Sequence, residues 1–486
     1  MVPRWGWLIS SGASEREKSD LTDSANTRQE AIALTDSIFR AYDIRGIVGE
    51  TLSEDIARQI GLAIAKLAGD KGLRRIAVAR DGRLSAPRMS AALISGLRRG
   101  GCDVVDIGRV PTPVLYFATF VLDGVRAGVM VTGSHNPPDY NGFKVVLDRK
   151  ALFGEQIMEI RRSIPDRDPD VAEGSLEEVD LAEEYLQRIA GDIRPRRPLR
   201  VVVDAGNGVT GELGPELLRR IGCEVDELHT RIDGTFPNHH PDPGVPENMT
   251  DLIRRVGETG ADIGFGFDGD GDRVGVVTPQ GELIYPDHLM MAYAEELLAR
   301  RPGSQVIFDV KCTANLARMV RRLGGQPEMY KTGHSLIKDR MQATGAPLAG
   351  EMSGHIFFAD RWYGFDDGIY AAARLVEILA ARDEDADVFF ARFPRDHSTP
   401  EISIAVPEEH KFRVIEELVR EGDFGEGERC TLDGIRVDYE DGWGLVRASN
   451  TSPKLVARYE GRDAGSLSRI RERFERSIDR VLERLD

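Results

Sequence analysis

A serine, a histidine and a lysine occur close together around one predicted strand-to-loop turn. Ser134 and His135 follow the apolar run 127–131, and Lys144 follows a turn of proline, asparagine and glycine residues. Such a serine can be an ordinary turn residue, but it can also carry a phosphate, which needs cationic side chains and turn amides around it. An acyl-transfer serine is expected in a GxSxG sequence, and the sequence here is GSHN. The segment therefore favours phosphate chemistry.

A second segment repeats a carboxylate at every other position. In an extended backbone, Asp268, Asp270 and Asp272 point the same way, and three converging carboxylates favour a hard cation such as Mg²⁺. An EF-hand is excluded, since its sixth and twelfth positions would be Arg273 and Pro279. The glycines just before have GxGxxG spacing, but the acids would repel a pyrophosphate. A solvated acidic turn is the remaining alternative.

Two further polar loops could bind a sugar and a phosphate. Glu351, Ser353 and His355 alternate onto one side of a short loop, where they could pair with sugar hydroxyls. The loop 447–454 offers Arg447, three hydroxyls and backbone amides, which can hold a phosphate although the chain has no GxxxxGK[ST] sequence. An ordinary polar turn is the alternative for the loop that contains Glu351.

Composition limits the class of protein. A chain of 486 residues is too long for one core and implies several domains. Its 81 acidic and 64 basic residues give a net charge of −17, which argues against a nucleic-acid partner. No apolar run is long enough to span a membrane. Four scattered cysteines without a CxxC pair suit a reducing cytoplasm, and we expect residues 1–35 to be a disordered leader.

The elements that must position these loops repeat three times. Buried strands near 75–80, 199–203 and 305–309 each end in a polar turn, followed by a helix that closes with Arg-Arg and glycine. This βαβ arrangement generates mainly parallel sheets, whereas the pattern after about residue 394 indicates a separate α+β module. The predicted domains are 36–180 with the serine loop, 181–282 with the metal loop, 283–394 with the sugar loop and 395–486 with the phosphate loop.

These four segments, in this order, resemble the α-D-phosphohexomutase family, most closely its bacterial phosphomannomutase/phosphoglucomutase members. The resemblance extends over residues 38–486 and includes AYDIRG at 41–46 and KTGHS at 331–335. It implies a heart-shaped α/β enzyme of four domains, three of them related mixed α/β domains and the last α+β, around a central cleft. It also implies reversible conversion of hexose 1-phosphate and hexose 6-phosphate, for mannose and glucose, through a phosphoserine enzyme and a 1,6-bisphosphate intermediate. Mg²⁺ would be the cofactor, glucose 1,6-bisphosphate the activator, and the enzyme a cytoplasmic monomer.

The resemblance also assigns roles to residues. It implies catalytic roles for Ser134, Lys144, His135, Arg45 and His355. The Mg²⁺ ligands would be the phosphoseryl oxygen of Ser134 with Asp268, Asp270 and Asp272. Substrate contacts would come from Tyr42, Arg273, Lys311, His334, Glu351, Ser353, Arg447, Ser449, Asn450, Thr451 and Arg458. Lys144, Arg45 and His355 are candidates for proton transfer, and neighbouring cationic charge would depress the pKa of Lys144 so that it could act as a base.

Two competing functions use the same residues. A metal-dependent sugar phosphatase would pass the phosphate to water, although such enzymes commonly use an aspartate nucleophile or a second metal. A non-catalytic sugar-phosphate sensor would be expected to lack Ser134 or one of the three aspartates, and all are present. Met352, between Glu351 and Ser353, resembles the dual mannose and glucose type, whose expected pathway is nucleotide-sugar supply for surface polysaccharide.

Overall fold

The computed structural model describes residues 33–450 and 452–484. The predicted leader therefore lies almost entirely outside the described residues, and so does Thr451. The described chain folds into four units that we call domains 1 to 4, with sheets of seven, five, four and six strands. No helix in this part of the chain has the length and apolar character that a membrane span requires.

Domain 1 is a mixed sheet covered by helices on both faces. The parallel strands β2, β3, β4 and β7 form its centre and one edge, and the antiparallel strands β5 and β1 form the other edge. Its elements are β1 (Ile44–Ile47), α1 (Glu54–Asp70), β2 (Arg75–Arg80), α2 (Ala86–Arg99), β3 (Asp103–Arg109), α3 (Thr112–Val121), β4 (Val125–Val131), β5 (Tyr140–Leu147), β6 (Lys150–Ala151), α4 (Glu155–Arg162) and β7 (Leu176–Glu178).

Domain 2 repeats this plan on a smaller scale. Its strands lie in the order β12-β11-β10-β8-β9, with β8, β9 and β10 parallel. The elements are α5 (Ala182–Asp192), β8 (Arg200–Asp204), α6 (Thr210–Arg220), β9 (Glu224–Leu228), α7 (Thr250–Thr259), β10 (Ile263–Phe267), β11 (Val274–Val277) and β12 (Leu283–Ile284). Because β12 pairs with β11, this sheet extends just beyond the predicted boundary at residue 282. The other domain boundaries stay predictions.

Domain 3 has a four-stranded sheet in the order β14-β13-β15-β16, of which only β16 is antiparallel. Its elements are α8 (Pro286–Arg300), β13 (Gln305–Asp309), α9 (Ala314–Arg322), β14 (Gln326–Tyr330), α10 (His334–Thr344), β15 (Leu348–Gly350), β16 (Ile356–Phe358), α11 (Gly368–Ala380) and α12 (Ala386–Ala391). The largest apolar core runs continuously through domains 1, 2 and 3, so these domains share buried surface.

Domain 4 is antiparallel throughout its sheet, as expected for an α+β module. Its elements are β17 (His397–Ser398), β18 (Ile402–Ala405), α13 (Lys411–Glu421), β19 (Glu428–Cys430), β20 (Ile435–Tyr439), β21 (Gly442–Ala448), β22 (Lys454–Gly461) and α14 (Ala464–Leu482). Arg436 joins it to domain 3, donating to the carbonyls of Val310 (2.7 Å) and Cys312 (2.9 Å) while stacking on Trp443.

Candidate active site

Loops from all four domains border one cleft of about 330 Å³. The loops of domains 1 and 3 that carry the predicted serine and glutamate follow the carboxyl ends of strands β4 and β15, which is where open α/β sheets bind ligands. Most residues predicted from the sequence line this cleft: Tyr42, Arg45, Ser134, His135, Lys144, Arg273, Lys311, His334, Glu351, Ser353, His355, Arg447, Ser449 and Asn450.

Ser134 has an uncommon backbone conformation in a closely packed place. Its φ of 49° lies in the left-handed region, and the residue is only 3% exposed. The hydroxyl oxygen lies 3.1 Å from Oδ2 of Asp268 and 3.2 Å from Nδ1 of His135. Nη2 of Arg273 lies 3.5 Å from the same oxygen. The hydroxyl is therefore held between a carboxylate and a cation, and strain of this kind is typical of functional sites.

Asp81 and Arg83, which lie outside the predicted functional motifs, support the Ser134 loop from the protein interior. Nη2 of Arg83 donates to the carbonyl of Ser134 at 2.8 Å and to that of Asn136. Oδ2 of Asp81 accepts from Thr132 Oγ1 at 2.7 Å and from Arg83 Nε at 3.2 Å. Both residues lie in the polar turn that follows strand β2, which was recognisable from the sequence. Their partners, however, lie in the loop that follows strand β4.

We expect Arg83→Met to destabilise the protein strongly, because it leaves Asp81 buried without its cation and the loop carbonyls without donors. The expected cost is about 3–5 kcal/mol in the free energy of unfolding, measured with urea. Arg88→Met is the control, since Arg88 is in an exposed ion pair with Glu54 and should cost less than about 1 kcal/mol. Equal losses for the two variants would contradict the supporting role of Arg83.

The three alternating aspartates lie directly behind Ser134. Asp268, Asp270 and Asp272 are fully buried, and one ligand oxygen from each lies within 4.8 Å of the others. Burial and mutual repulsion raise the pKa of Asp268 and Asp272. Burial also acts to raise the pKa of Asp270, but Lys144 outweighs it and lowers that pKa. Oδ1 of Asp270 and of Asp272 have no hydrogen-bond partner among the described residues. These buried oxygens fit a hard divalent cation.

Lys144 differs from the sequence expectation. Its ammonium group binds both Asp270, at 2.7 Å from Oδ2, and Asp272. Burial acts to lower the pKa of Lys144, but the neighbouring carboxylates outweigh it and raise that pKa well above its usual value. The expected depressed pKa was wrong for this arrangement, because the nearest charges are anionic rather than cationic. Lys144 lies here as a fixed cation beside the carboxylates.

His355 lies in a buried charged cluster that includes two residues not selected from the sequence. Oδ2 of Asp366 lies 2.9 Å from its Nδ1, and Lys338 pairs with the other carboxylate oxygen. The ring stacks on His334 at a centroid distance of 5.2 Å. Burial and the charge of Lys338 hold the pKa of His334 well below its usual value, so that this ring is neutral. Asp366 follows strand β16, outside the 351–355 loop, and the fold turns it back against His355.

The predicted sugar-binding residues lie together on the domain 3 side of the cleft. Oε1 of Glu351 accepts from the backbone N–H of Gly333, and Ser353 Oγ donates to Oε2 at 3.4 Å. Nζ of Lys311 donates to Oε1 of Glu401 at 2.6 Å, and Glu401 comes from domain 4. Donors and acceptors alternate here within a few ångströms, as recognition of sugar hydroxyls requires.

Arg447 presents an unpaired donor to the cleft. Its Nε donates to Oδ2 of Asp433 at 2.9 Å, whereas its Nη2 is buried and has no partner within the described part of the chain. Nearby, the amide of Asn450 contacts the hydroxyl of Tyr42, which itself donates to the carbonyl of Thr332 at 2.6 Å. Domains 1, 3 and 4 therefore meet at this end of the cleft, beside the Arg447 guanidinium, which can bind an anion.

Arg458 does not reach the cleft, contrary to the prediction that it binds phosphate. Its Nη1 donates to Oδ2 of Asp287 at 2.9 Å and contacts the carbonyl of Lys311, and the side chain is buried between domains 3 and 4. The alternation of strand β22 turns this residue towards the start of helix α8. Lys454, at the start of the same strand, lines the cleft instead.

Four consecutive segments match the domains of a single protein family. Residues 36–169, 183–281 and 285–395 match phosphoglucomutase/phosphomannomutase alpha/beta/alpha domains I, II and III. Residues 401–477 match the C-terminal domain of the same family.

Curated relatives and a solved structure agree along nearly the whole length. A phosphomannomutase/phosphoglucomutase of Pseudomonas putida is 54% identical over 449 residues, covering 92% of this chain and 97% of the relative. A phosphoglucomutase of Neisseria gonorrhoeae is 50% identical, covering 92% of this chain and 98% of the relative. The crystal structure of a phosphoglucomutase/phosphomannomutase family protein from Burkholderia thailandensis has a TM-score of 0.88 at 52% identity, with 92% and 98% of the two chains covered. The predicted four-domain α/β fold is thus confirmed, and the chain belongs to the phosphoglucomutase/phosphomannomutase family.

Proposed function

We propose that this protein reversibly converts hexose 1-phosphates and hexose 6-phosphates, with mannose and glucose as the sugars, through a phosphorylated Ser134 and a 1,6-bisphosphate. The activities for which the relatives are named support both sugars. The observation that carries the proposal is the placement of Ser134 Oγ 3.1 Å from Asp268, in a cleft that also contains the unpaired Arg447 donor. A phosphate can therefore be exchanged at one end of the sugar and held at the other.

The reaction consists of two phosphoryl transfers. In the first, the bond from phosphorus to Ser134 Oγ breaks, a bond to a sugar hydroxyl oxygen forms, and the hydroxyl loses its proton. The 1,6-bisphosphate then turns around, and its other phosphate returns to Ser134. Arg273, His135 and Arg45 border the Ser134 end of the cleft and are proposed to neutralise the transferring group.

Asp268, Asp270 and Asp272, with a phosphoseryl oxygen on Ser134, are proposed to hold Mg²⁺. When bound, this ion supplies charge neutralisation of the transferred phosphoryl group. Lys144 would stabilise the carboxylates from the other side through its contacts with Asp270 and Asp272. Glucose 1,6-bisphosphate is the proposed activator, since it can return a phosphate to Ser134 after accidental hydrolysis.

His355 is proposed to take up and return the proton of the reacting hydroxyl. It borders the cleft, and the Asp366 carboxylate beside its Nδ1 can stabilise the positive charge that protonation creates. Lys144 is the weaker candidate because its nearest neighbours favour its charged form.

Glu351 and Ser353 are proposed to bind hydroxyls that glucose and mannose share and to make no contact with the 2-OH. Lys311 and His334 complete this side of the cleft, while Tyr42, Ser449 and Asn450 border its Arg447 end. Thr451 keeps its predicted role in phosphate binding as a proposal. The monomeric state, the cytoplasmic location and the role in nucleotide-sugar supply stay predictions.

The proposal is tested by assaying glucose 1-phosphate and mannose 1-phosphate side by side while recording the intact mass of the protein. We expect both substrates to be converted, with one phosphoryl group retained on Ser134 during turnover. Release of inorganic phosphate at the rate of substrate consumption would instead identify a phosphatase and overturn the proposal.

Arg447→Met should weaken substrate binding, because the unpaired Nη2 would contact the phosphate that is not being transferred. A hydrogen bond to a charged group contributes about 1.5–3 kcal/mol, so we expect KM for glucose 1-phosphate to rise roughly tenfold to a hundredfold. Arg471→Met is the control, since Arg471 forms an exposed ion pair with Glu475 on helix α14. An unchanged KM in the Arg447 variant would contradict its phosphate contact.

A further inference from the structure

Domain 2 contains a cluster of two histidines and an aspartate that the proposed reaction does not use. Asp204 ends strand β8, His229 follows strand β9, and His239 lies in the loop beyond it. One potential ligand atom from each residue lies within 4.8 Å of the other two. Asp204 is buried and the two histidines are mostly so. None of the three lines the cleft that contains Ser134.

The hydrogen bonds of His239 direct its second ring nitrogen at a carboxylate. Its Nδ1 lies 3.0 Å from the backbone carbonyl of His240 and donates to it, which assigns the ring hydrogen to Nδ1. The lone pair of Nε2 then faces Oδ2 of Asp204 at 3.0 Å. The other oxygen of Asp204 accepts from the N–H of Gly206 at 2.9 Å. Two acceptors that face one another need a cation between them, either a proton or a metal ion.

The surroundings of His239 match those of a metal ligand. Histidines that bind metals usually donate their second N–H to a carbonyl or carboxylate, which fixes the ring. In a tetrahedral zinc site with bonds of roughly 2.0–2.1 Å, ligand atoms lie roughly 3.3 Å apart. The separation between His239 and Asp204 is close to this value, and the hydrogen bonds to His240 and Gly206 already hold both groups in place.

His229 provides a second imidazole against the first. The two rings have centroids 5.3 Å apart and are nearly perpendicular. The backbone of His229 has a φ of 50°, which residues other than glycine rarely adopt. Oδ2 of Asp251 lies 3.2 Å from Nε2 of His229. A third ligand and an adjacent carboxylate are thus within reach of the pair formed by His239 and Asp204.

We propose that Asp204, His229 and His239 form a binding site for a transition-metal ion, with Zn²⁺ as the fitting occupant. Imidazole nitrogens select Zn²⁺ over Mg²⁺, which prefers oxygen ligands in octahedral geometry. The site is therefore chemically distinct from the oxygen-only set of Asp268, Asp270 and Asp272.

The bound ion would brace the segment 229–242, which reaches the catalytic loops. Phe236 lies against the guanidinium of Arg83 at 5.1 Å from its ring centroid, and Arg83 holds the carbonyl of Ser134. Oδ1 of Asp242 lies 3.4 Å from Nη1 of Arg273. Fixing His229 and His239 would hold Phe236, which lies between them, and the adjacent Asp242 in these two contacts.

Titration of the metal-free, full-length protein with Co²⁺ in excess Mg²⁺ tests the proposal. Mg²⁺ occupies the oxygen ligands, and Co²⁺ bound tetrahedrally by nitrogen and oxygen gives intense visible absorption, in contrast to six-coordinate Co²⁺. We expect one equivalent of intense absorption that Zn²⁺ abolishes by displacement. His229→Ala and His239→Ala should weaken Co²⁺ binding at least about tenfold, and the control His397→Ala, on a surface strand, should not.

Three outcomes would overturn the assignment. Weak or absent absorption in the unaltered protein would leave the cluster as a hydrogen-bonded pair with a protonated His239. Retained absorption in both histidine variants, with circular dichroism showing that they are folded, would place the ion elsewhere. Loss of the absorption in Asp268→Asn, with retention in His229→Ala, would place it at the catalytic aspartates.

Discussion

Ser134→Ala is expected to abolish steady turnover of glucose 1-phosphate in the presence of glucose 1,6-bisphosphate. The variant has no oxygen that can carry the phosphoryl group between the two ends of the sugar, so both transfers lose their common partner. Among the described residues, the groups that contact this oxygen are the carboxylate of Asp268, the ring of His135 and the guanidinium of Arg273, and none of them is a hydroxyl that could replace it. We expect a loss of at least about three orders of magnitude in kcat.

The measurement combines a coupled steady-state assay with intact mass spectrometry after incubation with the bisphosphate. The unaltered protein should gain one phosphoryl group, whereas Ser134→Ala should gain none. Ser468→Ala is the matched control, because Ser468 is exposed on helix α14 and only bonds Glu472; it should match the unaltered protein in both measurements. Substantial turnover by Ser134→Ala would contradict the role of Ser134 as phosphate carrier.

Asp268→Asn should produce the second-largest effect. The amide preserves the shape of the side chain but removes a charge from a fully buried set of three carboxylates, and Asp268 is the one that contacts Ser134. We expect weaker binding of the divalent cation and a fall in kcat/KM of roughly a hundredfold to a thousandfold, about 3–4 kcal/mol in the activation free energy.

Binding of Mn²⁺ followed by electron paramagnetic resonance separates this prediction from general damage. Asp268→Asn should bind Mn²⁺ more weakly than the unaltered protein, and raised Mg²⁺ should restore part of its activity. The control is Asp226→Asn in the same domain, where Asp226 pairs with Arg255 near the surface, and we expect neither measurement to change. Unaltered cation affinity in Asp268→Asn would show that these oxygens do not hold the metal.

The loops that carry chemistry were recognisable from the sequence because each concentrates its functional groups within a few residues. The GSHN turn, the alternating aspartates, the Glu351 loop and the Arg447 loop all border or support a single cleft. Their local spacing already fixes which side chains share a side of a strand or loop, so tertiary structure had only to bring the four loops together. The repeated strand, polar turn and helix likewise predicted three α/β domains and a different fourth one.

Only the tertiary structure decided which charged side chains of different loops pair with one another. Lys144 beside Asp270, Arg83 beneath Ser134 and Glu401 against Lys311 join residues that are far apart in the chain. The burial of Arg458 against Asp287 removed a predicted phosphate ligand.

The raised pKa of Lys144 also depends on tertiary structure, because carboxylates from domain 2 surround its ammonium group and favour the charged form. The sequence by itself determined the family, the four loops and the groups they carry, because those depend on local order along the chain. The protonation states and the partners of these groups depend on Coulomb interactions and desolvation across domain contacts. Such contacts exist only once the four domains have packed around the cleft.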